Sequence, residues 1–137
     1  MRTAYTDLAR SIKTTCADQI AAFTWDLITG GPDVWYLYGP SSSHGQVLAA
    51  AGIRFGATAT QTDGYAEYSP ERFDLLKDTG AILVRTGDKA ALDPQATFAS
   101  LPAVTTDRLF TSNYFFPSSY GLSKALLQDV EAGLKQL

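Results

Sequence analysis

Val34-Trp35-Tyr36-Leu37-Tyr38-Gly39-Pro40-Ser41-Ser42-Ser43-His44-Gly45-Gln46-Val47-Leu48 is the stretch that decides the fold. Its first five residues, bulky aromatic, aliphatic and β-branched, have the composition of a strand buried on both faces. Gly39-Pro40 and three serines break that strand. Ser43 with Gln46 three residues on has the spacing of a capping box, so a helix is expected to start at Ser43. The helix is short and small-sided, through Val47, Leu48 and Ala49 to Ala51, and Gly52 stops it. Strand, polar loop and helix N-terminus in that order place the loop at the carboxyl edge of a sheet, where open α/β sheets bind ligands.

On the N-terminal side, Tyr5, Leu8, Ile12, Cys16, Ile20, Phe23 and Leu27 form a helical stripe. It predicts a helix over 5–28, ended by Gly30-Gly31-Pro32. On the C-terminal side, Ile53-Arg54-Phe55 has the look of a short strand. Residues 56–68, rich in Ala, Thr and Gly without a period, read as a surface loop carrying Tyr65 and Tyr68. Ser69-Pro70-Glu71 is a strong helix start. Ala81 to Val84 is a second buried strand with Arg85 to Asp88 as its exit loop. Asp93-Pro94 opens another helix that Pro102 closes. Arg108 to Ser112 is a third strand, followed by an aromatic loop over 113–121. A final amphipathic helix carries Leu122, Leu126, Val130, Leu134 and Leu137. Strands alternating with helices predict an α/β fold: a three-layer sandwich around a mostly parallel sheet of four or five strands.

The chain has 137 residues, enough for one domain with a real core. A net charge of −3, with the basic residues scattered, supplies no field for nucleic acid. One cysteine excludes an internal disulfide, and one cysteine with one histidine leaves no set for a zinc site. Cys16, on the apolar stripe, reads as buried and inert. No apolar run is long enough to cross a membrane, and Met1 to Lys13 reads as amphipathic rather than as a signal peptide. There is no Gly-x-Ser-x-Gly elbow, no P-loop, and no Gly-x-Gly-x-x-Gly after a strand. No catalytic residue and no protein-held metal are expected.

The order of these signatures resembles the C-terminal lobe of the iron–siderophore substrate-binding proteins of ABC transporters, a family that includes cobalamin- and haem-binding relatives. Tyr5-Thr6-Asp7-Leu8-Ala9-Arg10 resembles the start of the segment joining the two lobes. Gly45-Gln46-Val47-Leu48-Ala49-Ala50-Ala51-Gly52 resembles the helix after the first strand of that lobe. Tyr68-Ser69-Pro70-Glu71-Arg72-Phe73-Asp74-Leu75-Leu76 with Ala81-Ile82-Leu83-Val84 resembles the family's Ser-x-Glu helix and next strand. Leu101-Pro102-Ala103-Val104 with Arg108-Leu109-Phe110 resembles its Leu-Pro-Ala-Val…Gly-Arg-Val-Tyr stretch. Asp107 departs from the usual Gly before Arg108, and Thr79-Gly80 departs from the usual Pro-Asp or Ala-Asp.

The resemblance implies a Rossmann-like lobe of a helical-backbone, chelatase-like metal receptor. Residues 1–29 would be the inter-lobe helix region and 33–137 the ligand-binding lobe of a single domain. It implies an extracytoplasmic protein, periplasmic or lipoprotein-anchored, that captures a ferric siderophore or similar chelate and hands it to an importer permease. The N-terminal lobe is missing from this sequence, so the chain would supply half of the cleft. The surface thereby uncovered would favour self-association.

No cofactor is implied, because the siderophore's own oxygens saturate the iron. The protein offers aromatic faces, hydrogen-bond donors and often positive charge. Ser41, Ser42, Ser43 and His44 are candidate donors beside a helix N-terminus; the alternative is that the serines cap the helix or face water, and that His44 is an ordinary surface histidine. Tyr65 and Tyr68 are candidate contacts as loop aromatics. Of Tyr114, Phe115 and Phe116, strand alternation turns at least one outward; otherwise they plug the space under the last helix. Arg85 could pair with a carboxylate or catecholate oxygen, or simply with Asp88. By the resemblance Glu71 docks on the permease, although an acid in a first helical turn also suits the dipole. The competing reading is a small Rossmann-like domain binding a phosphorylated ligand or nucleotide at 39–46, with or without catalysis.

Overall fold

The computed structural model describes residues 2–137. Five strands form one sheet in the order β3-β2-β1-β4-β5: β1 Trp25–Gly30, β2 Trp35–Tyr38, β3 Tyr65–Tyr68, β4 Ala81–Arg85 and β5 Leu109–Ser112. The sheet is mostly parallel. β1, β4 and β5 pair in parallel, β2 is antiparallel to β1, and β3 is antiparallel to β2, so β2 alone runs against the rest.

Among the described residues seven α-helices flank the sheet: α1 Arg2–Thr15, α2 Ala17–Ala22, α3 Ser43–Ala50, α4 Lys89–Leu92, α5 Ala96–Ala99, α6 Pro102–Thr105 and α7 Tyr120–Leu134. Side chains alternate across strands, so each face builds its own core. Trp25, Leu27, Ala81 and Leu83 face α1, α3 and α7, where Ile12, Val47, Leu48, Leu126, Leu127, Val130 and Leu134 close the layer. Ile28, Trp35, Leu37, Ile82 and Val84 face the other side, against Phe73, Leu76, Leu92, Phe98 and Ala103. Phe73 and Leu76 belong to a 3-10 segment, Pro70–Leu76, where a regular helix was expected.

The helix expected over 5–28 is two short helices and the central strand. Thr14 and Thr15 turn their hydroxyls back onto the carbonyls of Arg10 and Ser11, and Cys16 leaves helical geometry (φ −112°, ψ 23°). β1 follows, fully buried from Trp25 to Thr29. Residue 29 therefore lies inside the sheet, in β1, rather than in a helix. Tyr65 and Tyr68 lie on an edge strand rather than in a loop. Pro102 begins α6 at its first turn, as its fixed φ allows, instead of ending a helix. Arg54 and Phe55 extend the sheet past the end of β2: the Trp25 N–H donates to the Arg54 carbonyl (2.8 Å) and the Gly56 N–H to the Trp25 carbonyl (3.1 Å). Asp107 adopts a left-handed backbone (φ 59°), a conformation that favours glycine and that aspartate tolerates better than most residues. The position where the resembled family has Gly thus keeps the glycine geometry.

Candidate functional site: an aromatic platform

β2 alternates. Trp35 and Leu37 are buried against the second core, while Tyr36 and Tyr38 are half-buried on the face of α3 and α7. The strand is therefore not buried on both faces, and its two tyrosines join the site without having been singled out in the sequence. Tyr38 pairs with Tyr65 across the ladder. The Tyr65 ring lies 6.2 Å from that of Tyr38 and 6.0 Å from that of Tyr36, and Tyr65 is 60% exposed. Tyr68, three residues on, points to the opposite face and packs on Trp35 (5.2 Å). It is a core-side residue and not part of the platform.

Tyr114, Phe115 and Phe116 alternate out, in and out. Phe115 is buried in the core, whereas Tyr114 and Phe116 are 41% and 47% exposed. The Ser112 hydroxyl fixes the entry to this loop, donating to the Asp129 carboxylate (2.7 Å) and accepting from the Tyr114 N–H (3.0 Å). Phe116 stands edge-on to Tyr38 at 5.7 Å. Arg85, at the end of β4, sets its guanidinium 5.6 Å from the Phe116 ring centre. Its Nη2 also donates to Asp88 Oδ1 (3.0 Å), and Asp88 Oδ2 accepts from the Gly30 N–H (3.0 Å). Directly after Phe116, a hollow of about 670 Å³ is lined by Pro117, Ser118, Ser119, Tyr120, Gly121 and Ser123.

His44 is not a surface donor. It is 2% exposed, boxed by Tyr38 (4.5 Å), Phe115 (4.5 Å) and Phe116 (5.2 Å), and neither ring nitrogen has a hydrogen-bond partner. Burial pulls its pKa down to about 4, so at neutral pH it is an uncharged ring that buttresses Phe116 from below.

The serine loop is committed to the fold. Ser42, rather than Ser43, caps α3: its hydroxyl accepts from the Gly45 N–H (3.0 Å) and donates to the Gly39 carbonyl (2.7 Å). Ser41 donates to the Thr62 carbonyl (3.2 Å), and Gln46 reaches back to the Ser41 carbonyl (3.1 Å). Ser43 is exposed in the first turn. Gly45 leaves no room above the loop, since a Cβ there would come within 2.1 Å of the Gly39 carbonyl. Because β2 runs against β1, β4 and β5, this loop lies at the opposite end of the sheet from Arg85. His44, in the first turn of α3, still meets the Arg85 side through Phe116, whose ring lies 5.2 Å from that of His44 and 5.6 Å from the Arg85 guanidinium. Glu71 is exposed at the start of the 3-10 segment, 3.4 Å from the Ser69 hydroxyl and away from the aromatic face.

Among the described residues no group of three or more His, Cys, Asp or Glu could hold a metal ion, and no helix is long and apolar enough to cross a membrane. The platform is suited to contact rather than to covalent chemistry: aromatic faces, one guanidinium and hydroxyls.

No family model and no curated protein sequence matches the chain. Solved structures do. The siderophore periplasmic binding protein from the fuscachelin gene cluster of Thermobifida fusca superposes with a TM-score of 0.89 at 26% identity, over 97% of this chain and 51% of its own. The chain carries about half of the FhuD fold. The FhuD fold-family protein BSU3320 of Bacillus subtilis, a periplasmic component of a ferrichrome ABC transporter, matches with a TM-score of 0.78 at 16% identity, over 97% of this chain and 55% of its own. Vibrio cholerae FhuD, solved with Fe3+-Desferal, matches at 0.71 and 14%, over 98% and 51%. These likenesses agree with the fold class expected from the sequence, a five-stranded, mostly parallel sheet between helical layers. The chain spans about half the length of each of these structures.

Proposed function

We propose that this chain is the C-terminal lobe of an extracytoplasmic solute-binding protein that captures a ferric siderophore or a related metal chelate for an ABC importer. The observation that carries the reading is the convergence of Tyr36, Tyr38, Tyr65 and Phe116 into one partly exposed aromatic surface, with exposed Tyr114 two residues before Phe116 on the same loop. Exposed aromatics gathered from separate segments mark a recognition surface. The named function of the Thermobifida fusca protein, the most similar of the structures described above, supports the ligand class. The role is binding without catalysis, and a second lobe would cover the platform to complete a cleft. The phosphate reading of 39–46 has less support: the Ser42 hydroxyl caps α3, the Ser41 hydroxyl donates to the Thr62 carbonyl, and the Gly45 position is closed by the Gly39 carbonyl.

Amide NMR of the chain titrated with gallium-loaded siderophores tests this, gallium being a diamagnetic stand-in for ferric iron. Shifts are expected around residues 36–38, 65, 85 and 113–120. Tyr65→Ala and Tyr114→Ala should each weaken binding at least about fivefold, in keeping with a cost of about 1 kcal/mol or more for an aromatic contact that matters at a recognition surface. Shifts confined to 39–46, and produced by nucleotides alone, would replace the reading with the phosphate one. Glu71, remote from the platform, is assigned to permease docking. In cells that import the chelate, Glu71→Ala should leave binding intact and lower uptake, and a loss of binding in that variant would refute the assignment.

A further inference from the structure

The platform is short of positive charge. The segments that build it, 35–38, 61–68, 85–88 and 113–120, carry Asp63, Glu67 and Asp88 against a single cation, Arg85. Arg85 is neutralised at close range by Asp88, whose second oxygen is anchored by the Gly30 N–H. Glu67 is exposed and opposite Tyr36 in the ladder, and strand alternation puts it on the same face as Tyr65. His44 adds no charge at neutral pH. Beyond the 113–120 segment the first cation is Lys124, one turn past Tyr120 on α7. Exposed aromatic faces carry negative potential and attract cations.

We propose that this surface selects metal chelates of zero or single positive charge and discriminates against multiply anionic ones. The statement rests on the chelate-binding reading above and narrows it, from any ferric siderophore to complexes of the trihydroxamate charge type over tris-catecholates. Glu67 acts on a ligand seated on the platform because it stands about 7 Å along β3 from Tyr65 on the same face, inside a Debye length of about 8 Å at physiological ionic strength. Like charge across a contact disfavours the wrong partner more than it alters the right one.

The test is to titrate the chain with gallium desferrioxamine E, neutral, gallium desferrioxamine B, singly positive, and gallium enterobactin, triply negative, at low and high salt. The hydroxamates should bind at least about tenfold more tightly than the trianion at low salt, and the gap should narrow as salt rises. Asp63→Asn combined with Glu67→Gln should raise the affinity for the trianion and leave that for the neutral complex unchanged. Equal or tighter binding of the trianion overturns the charge assignment and leaves the chelate reading standing. Absence of binding by all three chelates overturns the chelate reading, and this inference with it.

Discussion

Replacing Asp26 by alanine should destabilise the protein by about 3–5 kcal/mol, the loss expected when one side of a buried charged hydrogen-bond set is removed. Asp26 is the second residue of the central strand and has no solvent exposure. Its carboxylate accepts from the Ala57 N–H (2.9 Å), the Thr58 N–H (3.4 Å), the Thr58 hydroxyl (3.1 Å) and the Thr79 hydroxyl (2.6 Å). One side chain thereby ties the 55–58 segment and the turn before β4 to β1. Alanine would leave four donors buried without an acceptor, together with a cavity. Asparagine keeps a single acceptor oxygen, so Asp26→Asn should lose less but still a substantial part. Burial raises the Asp26 pKa, against the opposing pull of these donors. A carboxyl with a raised folded pKa contributes stability that is present below its unfolded value of 3.8 and lost as pH climbs through the folded one. The set therefore holds the fold by hydrogen bonding and not by favouring the charge. Urea denaturation of the alanine variant with a loss under 1 kcal/mol would rule out this tether.

Acid should weaken the fold through His44. Its pKa falls from 6.5 to about 4 on folding, because burial penalises the imidazolium among Tyr38, Phe115 and Phe116. Between those values the unfolded chain binds more protons than the folded one, so stability is full above pH 6.5 and declines as pH drops toward about 4. Below that both states are protonated and the decline stops. At about 1.4 kcal/mol per pKa unit, the full loss is about 3 kcal/mol. His44→Leu removes the titration and the two unpartnered nitrogens while keeping the volume nearly constant. Urea midpoints measured at neutral and at mildly acidic pH should fall steeply for the natural chain and much less for His44→Leu. Parallel slopes in the two proteins would exclude His44 as the source. The box is also the floor under Phe116, so the same protonation should loosen the platform before the whole domain melts, visible as an earlier loss of the 113–120 amide signals.

What the sequence made legible follows local chemistry. Ala81 to Val84, with four apolar residues between a Gly and an Arg, could only be an interior strand, and it is the strand between β1 and β5. The out-in-out order of Tyr114 to Phe116 follows from alternation alone. β1 was hidden because Phe23 and Leu27 prolong the helical stripe of α1 and because Asp26 looks like a solvent position until the four donors around it are known. A signal was nevertheless present. Phe23 to Thr29 is rich in strand formers, and Gly30-Gly31-Pro32-Asp33 separates it from Val34 to Tyr38, the pattern of a hairpin. The order strand, loop, helix places the serine loop at the carboxyl end of β2, as found, but not relative to the other strands. Composition shows that Val34 to Tyr38 is a strand but not which way it runs, and that direction depends on pairing with β1. Tyr36 and Tyr38 escaped for the same cause, since which face of a strand meets solvent is decided by neighbours far along the chain.

The single reversed strand also bears on how the chain reaches this state. β1 and β2 are joined by residues 31–34, closed by the Gly31 N–H on the Val34 carbonyl (2.9 Å), whereas β1 meets β4 only across residues 31–80. Loop-closure entropy favours the first contact over the second by about 2 kcal/mol. The hairpin is thus the natural nucleus, and the parallel half of the sheet, with its long crossovers, condenses onto it afterwards. Substitutions in the 31–34 turn should chiefly slow refolding, and truncations at Leu109 or Phe110 on the far edge should chiefly speed unfolding, a difference that stopped-flow kinetics in urea would reveal. The reversed strand that carries Tyr36 and Tyr38 into the platform is, on the time axis, the piece of the sheet that forms first.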